Sequence, residues 1–356
     1  MLSVFTLEEA DKWDEIVKSF NYYDVYYLSG YANAFKLHGD GKPTLFYYQD
    51  RNIRAINVVM IRDIAEDRRF KGKIESRNFF DMSTPYGYGG FLIEGSVSKC
   101  SLVNLDNDYS NYCRSKNIIS EFARFHPVLG NSKMNKHIYE VADLGKTITV
   151  NLVDKEQIWE DLSSKNRNVI RKAIKSGVKI YWSRDPIIVD KFIPLYNATM
   201  KSDEAKDYYY FNKEFYNSVL RDLKYNSLFF YAVYDEKIIS SSIIIFGNDK
   251  IHYHLSASDR KYRSLAATNL LLYEVACWGC ENGYRYFHLG GGLSSNEDSL
   301  YKFKKAFNKH SDTYFSIGKK VFDHEKYDEL INISNLNNQD NGSNDFFPRY
   351  RSELLD

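Results

Sequence analysis

A short stretch, SSKNRNVIRKAIKSGVK, gathers Lys165, Arg167, Arg171, Lys172, Lys175 and Lys179 with no acid between Leu162 and Arg184. On a helix Arg167, Arg171 and Lys175 fall four apart on one stripe, which suits either phosphate contact or a solvated face. Gly290, Gly291 and Gly292 directly follow the strand-like YRYFHL. Bare backbone N–H groups there can form an anion-binding concavity or simply turn the chain. The loop TPYGYGG presents Tyr86 and Tyr88 in a comparable way, either lining a cleft or packing a bulge. SLYKFKKAFNK sets Lys302, Lys304 and Lys305 among Tyr301, Phe303 and Phe307 behind Asp298, a residue suited to starting a helix. A lysine held beside a reacting carbonyl stabilises the oxyanion of a tetrahedral intermediate, although the same pattern describes an amphipathic turn with snorkelling lysines.

Other candidates read as structural. Cys277 and Cys280 form a C-x-x-C, but Cys100 and Cys113 are too distant to complete a zinc set, and no metal site is expected. His252 and His254, two apart on a strand, are expected on one face, as an acid/base pair, a ligand pair or core histidines. G-x-S-x-G, H-E-x-x-H and Walker motifs are absent, which disfavours nucleophile-elbow hydrolases, zincins and P-loop enzymes.

The elements that must position these residues alternate between helix and strand. The 356 residues, 44% hydrophobic and 27% charged, suit two folded domains rather than a small module or a disordered chain. TLEEADKWDEIVKSF reads as a helix, NYYDVYYLSGYANAFKLHG as an aromatic turn region, and PTLFYYQDRNIRAINVVMIRDI as a hairpin turning at 49–52. After a helix at CSLVNLDNDYSNYCRSKNI and β-rich segments to KTITVNL, the second half repeats the plan. It comprises a helix over 155–176, a strand VKIYWS, two helices, a strand pair turning at Asp235 and Glu236, the strand IHYHLSAS, a helix ending at Gly283, and YRYFHL. Boundaries are placed at 1–148, 149–330 and a polar tail over 331–356, rich in Asn, Ser and Gly. A balance of 48 basic against 47 acidic residues, net charge +1, gives no general field for nucleic acid or lipid, and DNA is not an expected partner. Few cysteines, an acidic N-terminal stretch and no 18-residue apolar run point to the cytoplasm without a membrane segment.

In this order, TPYGYGG, RFHPVLGN, LSSKNRNVIRKAIKSGV, LLLYEVACWGCENGYRYFHLGGG and DSLYKFKKAF, the chain resembles the FemAB-like transferases of the GNAT (N-acetyltransferase) superfamily over about residues 20–330. The resemblance implies an α/β (α+β) fold of two tandem GNAT-like domains with mixed, mostly antiparallel sheets flanked by helices and a cleft between. It implies transfer of an acyl or aminoacyl group onto an amine of a cell-envelope precursor, with aminoacyl-tRNA as donor substrate, a cell-wall or sugar-nucleotide precursor as acceptor and no further cofactor. Lys304 in FKKAF matches the family lysine near the reacting ester, accompanied by Phe303, Lys305 and the glycines at 290–292. Tyr253 matches a channel-lining aromatic, Tyr86 lies in the Gly/Tyr loop, and Lys36 resembles a lysine that meets precursor phosphates. Ala306 replaces the usual glycine of F-K-K-G-F, and no coiled-coil arm is visible. Acyl-CoA-dependent N-acetylation of an amino-sugar or small amine is the alternative. Against a conventional CoA loop, Ser264 stands at the central glycine of the stretch Lys261 to Ala266. A non-catalytic binding module of the same fold is a further alternative.

Overall fold

The computed structural model describes residues 1–311, 313–334 and 346–352. Its order is β1 (Leu2–Phe5), α1 (Ala10–Lys18), α2 (Ser29–His38), β2 (Lys42–Gln49), β3 (Ile53–Asp63), β4 (Phe80–Ser83), β5 (Leu92–Gly95), α3 (Lys99–Ser115), β6 (Ile118–Arg124), α4 (Ser132–Asn135) and β7 (Glu140–Asn151). There follow α5 (Lys155–Asp161), α6 (Ser164–Lys175), β8 (Lys179–Ser183), α7 (Ile187–Ser202), α8 (Lys213–Asp222), β9 (Ser227–Tyr234), β10 (Lys237–Gly247) and β11 (Lys250–Ser258). The chain closes with α9 (Ala267–Glu281), β12 (Tyr286–Gly290), α10 (Ser299–Lys305), β13 (Thr313–Val321) and α11 (His324–Ile333).

The chain forms two compact units: residues 1–22, 26–144 and 316–356 in the first, 23–25 and 145–315 in the second. Residues 316–330, placed with the second domain from sequence, cluster with the first unit. In the first unit β1, β2 and β3 pair antiparallel, β4 pairs antiparallel with β3 and parallel with β6, and β13 pairs antiparallel with β6. In the second, β8, β9, β10 and β11 pair antiparallel, β12 runs parallel to β11, and β7 is antiparallel to β12. Each unit thus has a meander of three strands, β2–β3–β4 or β9–β10–β11, whose last strand connects through a helix to a parallel partner. The duplication read from element order alone is therefore present in the topology. A parallel neighbour requires such a crossover, because a tight turn can only reverse the chain.

Three local expectations are corrected. The aromatic region at 21–39 contains α2, whose Tyr31, Ala32, Ala34 and Phe35 are all buried. A helix apolar on several sides lacks the one-faced period that betrays a helix in sequence. The helix expected over 155–176 is two helices, because Leu162 is extended and the Ser163 side chain caps α6 by accepting from the Asn166 N–H. In β11 the register with β10 slips, leaving His254 as the extra residue of a bulge, so His252 and His254 do not share a face by simple alternation.

The second unit packs around α9. Leu270, Leu271, Leu272, Val275 and Ala276 are buried in one cluster with Phe230, Ile244, Ile251 and Phe287. Gly279 lets this helix approach the sheet, since a Cβ there would overlap the Ile251 side chain. In the first unit the network of Glu121 with Tyr109, Tyr139 and Asn57 satisfies a buried carboxyl at 2.8–2.9 Å.

The expected tail over 331–356 lies outside the described residues at 335–345 and 353–356. Within it, Ile331 is buried and residues 346–352 return to the first unit. Tyr350 is buried, and Arg351 bonds Asp81 at 2.5 Å and Asp67 at 3.0 Å, while Arg62 reaches Asp81 at 2.8 Å. Burial alone would raise the Asp81 pKa, but the two guanidiniums hold it below the usual carboxylate range. A depressed folded-state pKa stabilises above the unfolded value and is lost as pH falls through the folded one. Asp81→Asn should therefore cost about 3 kcal/mol at neutral pH by leaving buried arginines unpaired. Urea unfolding of both proteins should show the difference shrinking as the pH is taken below about 4.

Candidate functional site

Lys304 is the chemically distinctive group of the second unit. It lies in the last turn of α10, is buried, and donates from Nζ to the Gly291 carbonyl at 2.7 Å. Burial pushes its pKa down to about 8, opposed by the negative charge of Asp298. The ammonium is therefore charged near neutrality yet held in a poorly solvated place, where one cation interacts most strongly with a developing anion.

The surrounding residues fix this geometry. Asp298 caps α10 by accepting from the Tyr301 N–H at 2.8 Å, and its other oxygen accepts from the Leu293 N–H at 3.0 Å. Those N–H bonds hold its own carboxyl below the ordinary range. Gly290 turns out of β12 at φ +77°, and a Cβ at Gly292 would collide with the Asn296 carbonyl and Asp298. The glycines therefore allow the strand end to fold against the cap of the helix that carries the lysine. At the other end of α10 the Ala306 carbonyl accepts from Ser163 N at 2.9 Å and Asn166 Nδ2 at 3.2 Å, and Asn269 donates to Asn166 at 2.8 Å. Asn308 then donates to the Thr149 carbonyl at 2.8 Å. The helix is thus tied to α6, α9 and β7.

Beside the glycines, β11 and β12 pair at only 250–252 with 286–288, although β11 continues to Ser258. Tyr253, next along β11, is half-buried, and its phenol pKa is raised by burial against hydrogen bonds to Ser256 and Ser242. His254 is pushed down to about 3 by burial and by His252, and so is a neutral imidazole. His252 Nε2 lies 2.8 Å from Asp24 Oδ2.

Of the sequence candidates, Gly290, Gly291, Gly292, Lys304 and the capping Asp298 come together. Phe303 is half-buried and packs edge-on against Phe307, and Lys305 donates to the Ser311 carbonyl at 2.6 Å, holding the loop after α10. Lys36 and Tyr86 belong to the first unit, where Tyr86 stacks on Phe35 and accepts at its carbonyl from the Tyr31 hydroxyl. The stripe on α6, open between phosphate contact and a solvated face, has two members engaged within the unit. Arg167 donates to the carbonyls of Trp159, Glu160 and Leu162, closing α5, and Arg171 lies 5.0 Å over the Trp159 ring. Cys277 sits within α9 rather than at its start, and burial raises its thiol pKa to about 11, the reverse of a reactive thiolate. His288, whose Nδ1 lies 3.0 Å from Thr149 Oγ1, and the Asn166 brace were missed because nothing local marks their partners.

Residues 164–305 match the family model of the acetyltransferase (GNAT) domain. No curated protein matches the sequence. Among solved structures, FemX aligns over 92% of this chain and 99% of its own at 13% identity and a TM-score of 0.68. A conserved protein of unknown function from Bacteroides thetaiotaomicron covers 90% and 99% at 11% identity, TM-score 0.58. A tandem GNAT protein from the clavulanic acid biosynthesis pathway covers 91% and 99% at 8% identity, TM-score 0.50. Residues 164–305 thus match a GNAT domain, and the fold of the whole chain is similar to those of FemX and the tandem GNAT protein. No helix among the described residues is long and apolar enough to cross a membrane.

With lysine selectively labelled at the ε-carbon, Lys304 should titrate near pH 8, below the exposed lysines at about 10.4. In Asp298→Asn the midpoint should fall further, because the charge that raises it is gone. A midpoint unchanged in that variant would remove Asp298 from the electrostatics of the site.

Proposed function

We propose that the protein transfers an aminoacyl group from aminoacyl-tRNA to an amine of a cell-envelope precursor, a cell-wall peptide or amino-sugar intermediate in the cytoplasm. The observation that carries this is the buried Lys304 ammonium clasped to the Gly291 carbonyl in a GNAT acyltransferase domain. The tandem fold shared with FemX supports the choice of donor.

The chemistry is aminolysis of an activated ester. The neutral amine attacks the carbonyl carbon, and the C=O electron pair moves onto oxygen. The tetrahedral intermediate collapses with expulsion of the ribose oxygen, and the amine proton is lost to solvent or to the leaving oxygen. An amine needs no enzyme nucleophile, so binding and orientation of two substrates supply much of the rate. Lys304 Nζ provides the positive charge where the oxyanion forms. Gly290 to Gly292 leave the substrate backbone room at the strand end, and Tyr253 offers a flat, half-buried wall along β11. Lys36 would meet acceptor phosphates.

Acyl-CoA is the second donor considered, and one observation favours it. Ala266 stands at φ +52° immediately ahead of α9, whose first turn has no side-chain cap. A left-handed non-glycine residue is costly and is found where a loop geometry is required. Ser264 itself lies within the 3-10 turn Arg260–Leu265 that leads to Ala266.

The deciding assay supplies purified protein and envelope precursors with either charged total tRNA or acetyl-CoA and reads the products by mass spectrometry. Product mass added only with charged tRNA is expected. Gain only with acetyl-CoA would replace the aminoacyl donor by the acyl-CoA one. No transfer from either, with tight precursor binding, would make the chain a binding module.

A further inference from the structure

A cleft of about 1030 Å³ lies wholly within the first unit, where β3 ends, β4 and β6 begin and α3 ends. Six cations and three acids line it, a local excess in a chain whose overall charge is only +1. Two of the cations, Arg62 and Arg351, are committed to Asp81 and Asp67. The other four, Lys36, Lys42, Arg77 and Lys116, are exposed and have no anionic side-chain partner among the described residues. Of the acids, Asp63 is occupied by the N–H groups of Ala65 and Arg77, and Asp67 by Arg69 and Arg351. Asp63, whose N–H bonds leave its charge in place, and Glu66 together offset four positive charges, so a positive excess remains.

The floor between these cations is apolar and partly aromatic, with Ile61, Phe80, Tyr112 and Ile118. Arg77 is held at φ +63° by its N–H bond to Asp63 at 2.7 Å, so its loop position is fixed rather than free. Cations converging on a low-dielectric wall focus the field into the cleft, whereas the same lysines dispersed over a surface would be screened. We propose that this cleft is a binding site for a phosphorylated small molecule, its phosphate met by Lys42, Arg77 and Lys116 and its apolar or planar portion resting on Phe80 and Tyr112. The resemblance to transferases attaches a phosphate role to Lys36 alone. Lys42, Arg77 and Lys116 enter from the cleft itself, and the site does not require the transfer chemistry of Lys304.

The test is calorimetric titration of the full chain at low salt with inorganic pyrophosphate and with AMP, alongside co-sedimentation with phosphatidylglycerol vesicles. The variants are the double charge reversal Lys42→Glu with Lys116→Glu, both at exposed positions, and Lys304→Ala. The site is supported by a dissociation constant of about 1 mM or tighter that weakens about tenfold or more in the double variant without a change in melting temperature. Lys304→Ala should bind as wild type, so failure of transfer and failure of this site are separable. Vesicle binding alone, lost in the double variant, would identify a lipid phosphate as the source and also support it. No binding of any probe at about 10 mM phosphate, or equal binding by wild type and the double variant, would overturn it.

Discussion

A buried ammonium is the constraint around which the second unit is organised. An unpaired charge at that depth is costly, so Lys304 keeps its proton near neutrality only while the Gly291 carbonyl accepts its hydrogen bond and Asp298 supplies opposing charge. That requirement reaches outward. Gly291 must directly follow a strand, Asp298 must start a helix, and the lysine on that helix must meet the Gly291 carbonyl thirteen residues away in sequence. The glycines make the turn sterically open, and the Asn166–Ala306 and Asn308–Thr149 bonds hold the helix against sliding. The position of this ammonium is therefore set by backbone placement as much as by side-chain identity.

The duplicated topology supplies that placement economically. A meander followed by a helical crossover leaves a parallel strand whose end emerges beside the last strand of the meander. In the second unit this strand is β12, and its end is the glycine run. In the first unit the corresponding strand is β6, and the chain beyond it has different chemistry. There the unit is stitched by Asp81, Arg62 and Arg351, and its cleft is lined by cations rather than by a glycine run. One architecture thus carries two electrostatic environments, since fold alone does not set function.

What the sequence disclosed follows the range of the interactions. FHLGGG and DSLYKFKKAF were legible because strand end, cap and lysine are local, and α9 was legible from its long apolar run and closing Gly283. The α2 helix was hidden because its residues are buried on several sides, leaving no period. The break at Leu162 and Ser163 turned on a cap that reads like any serine in a polar stretch. The bulge at His254 has no composition signal, and Asp81 with Arg351 are 270 positions apart. Arg167 appeared available to phosphates because nothing in sequence shows three carbonyls waiting at the end of α5.

The central claim is that positive charge at Lys304 carries the transfer step. The most direct measurement is the pH dependence of single-turnover transfer in wild type and in Lys304→Ala with the same fold and substrate affinity. Wild-type rates should lose their Lys304-dependent part as pH rises through about 8, while the variant is slower by about 10² to 10³ and lacks that falling limb. A Lys304-dependent rate that instead rises through pH 8 would make the neutral amine a base, and a variant as fast as wild type would place the chemistry elsewhere.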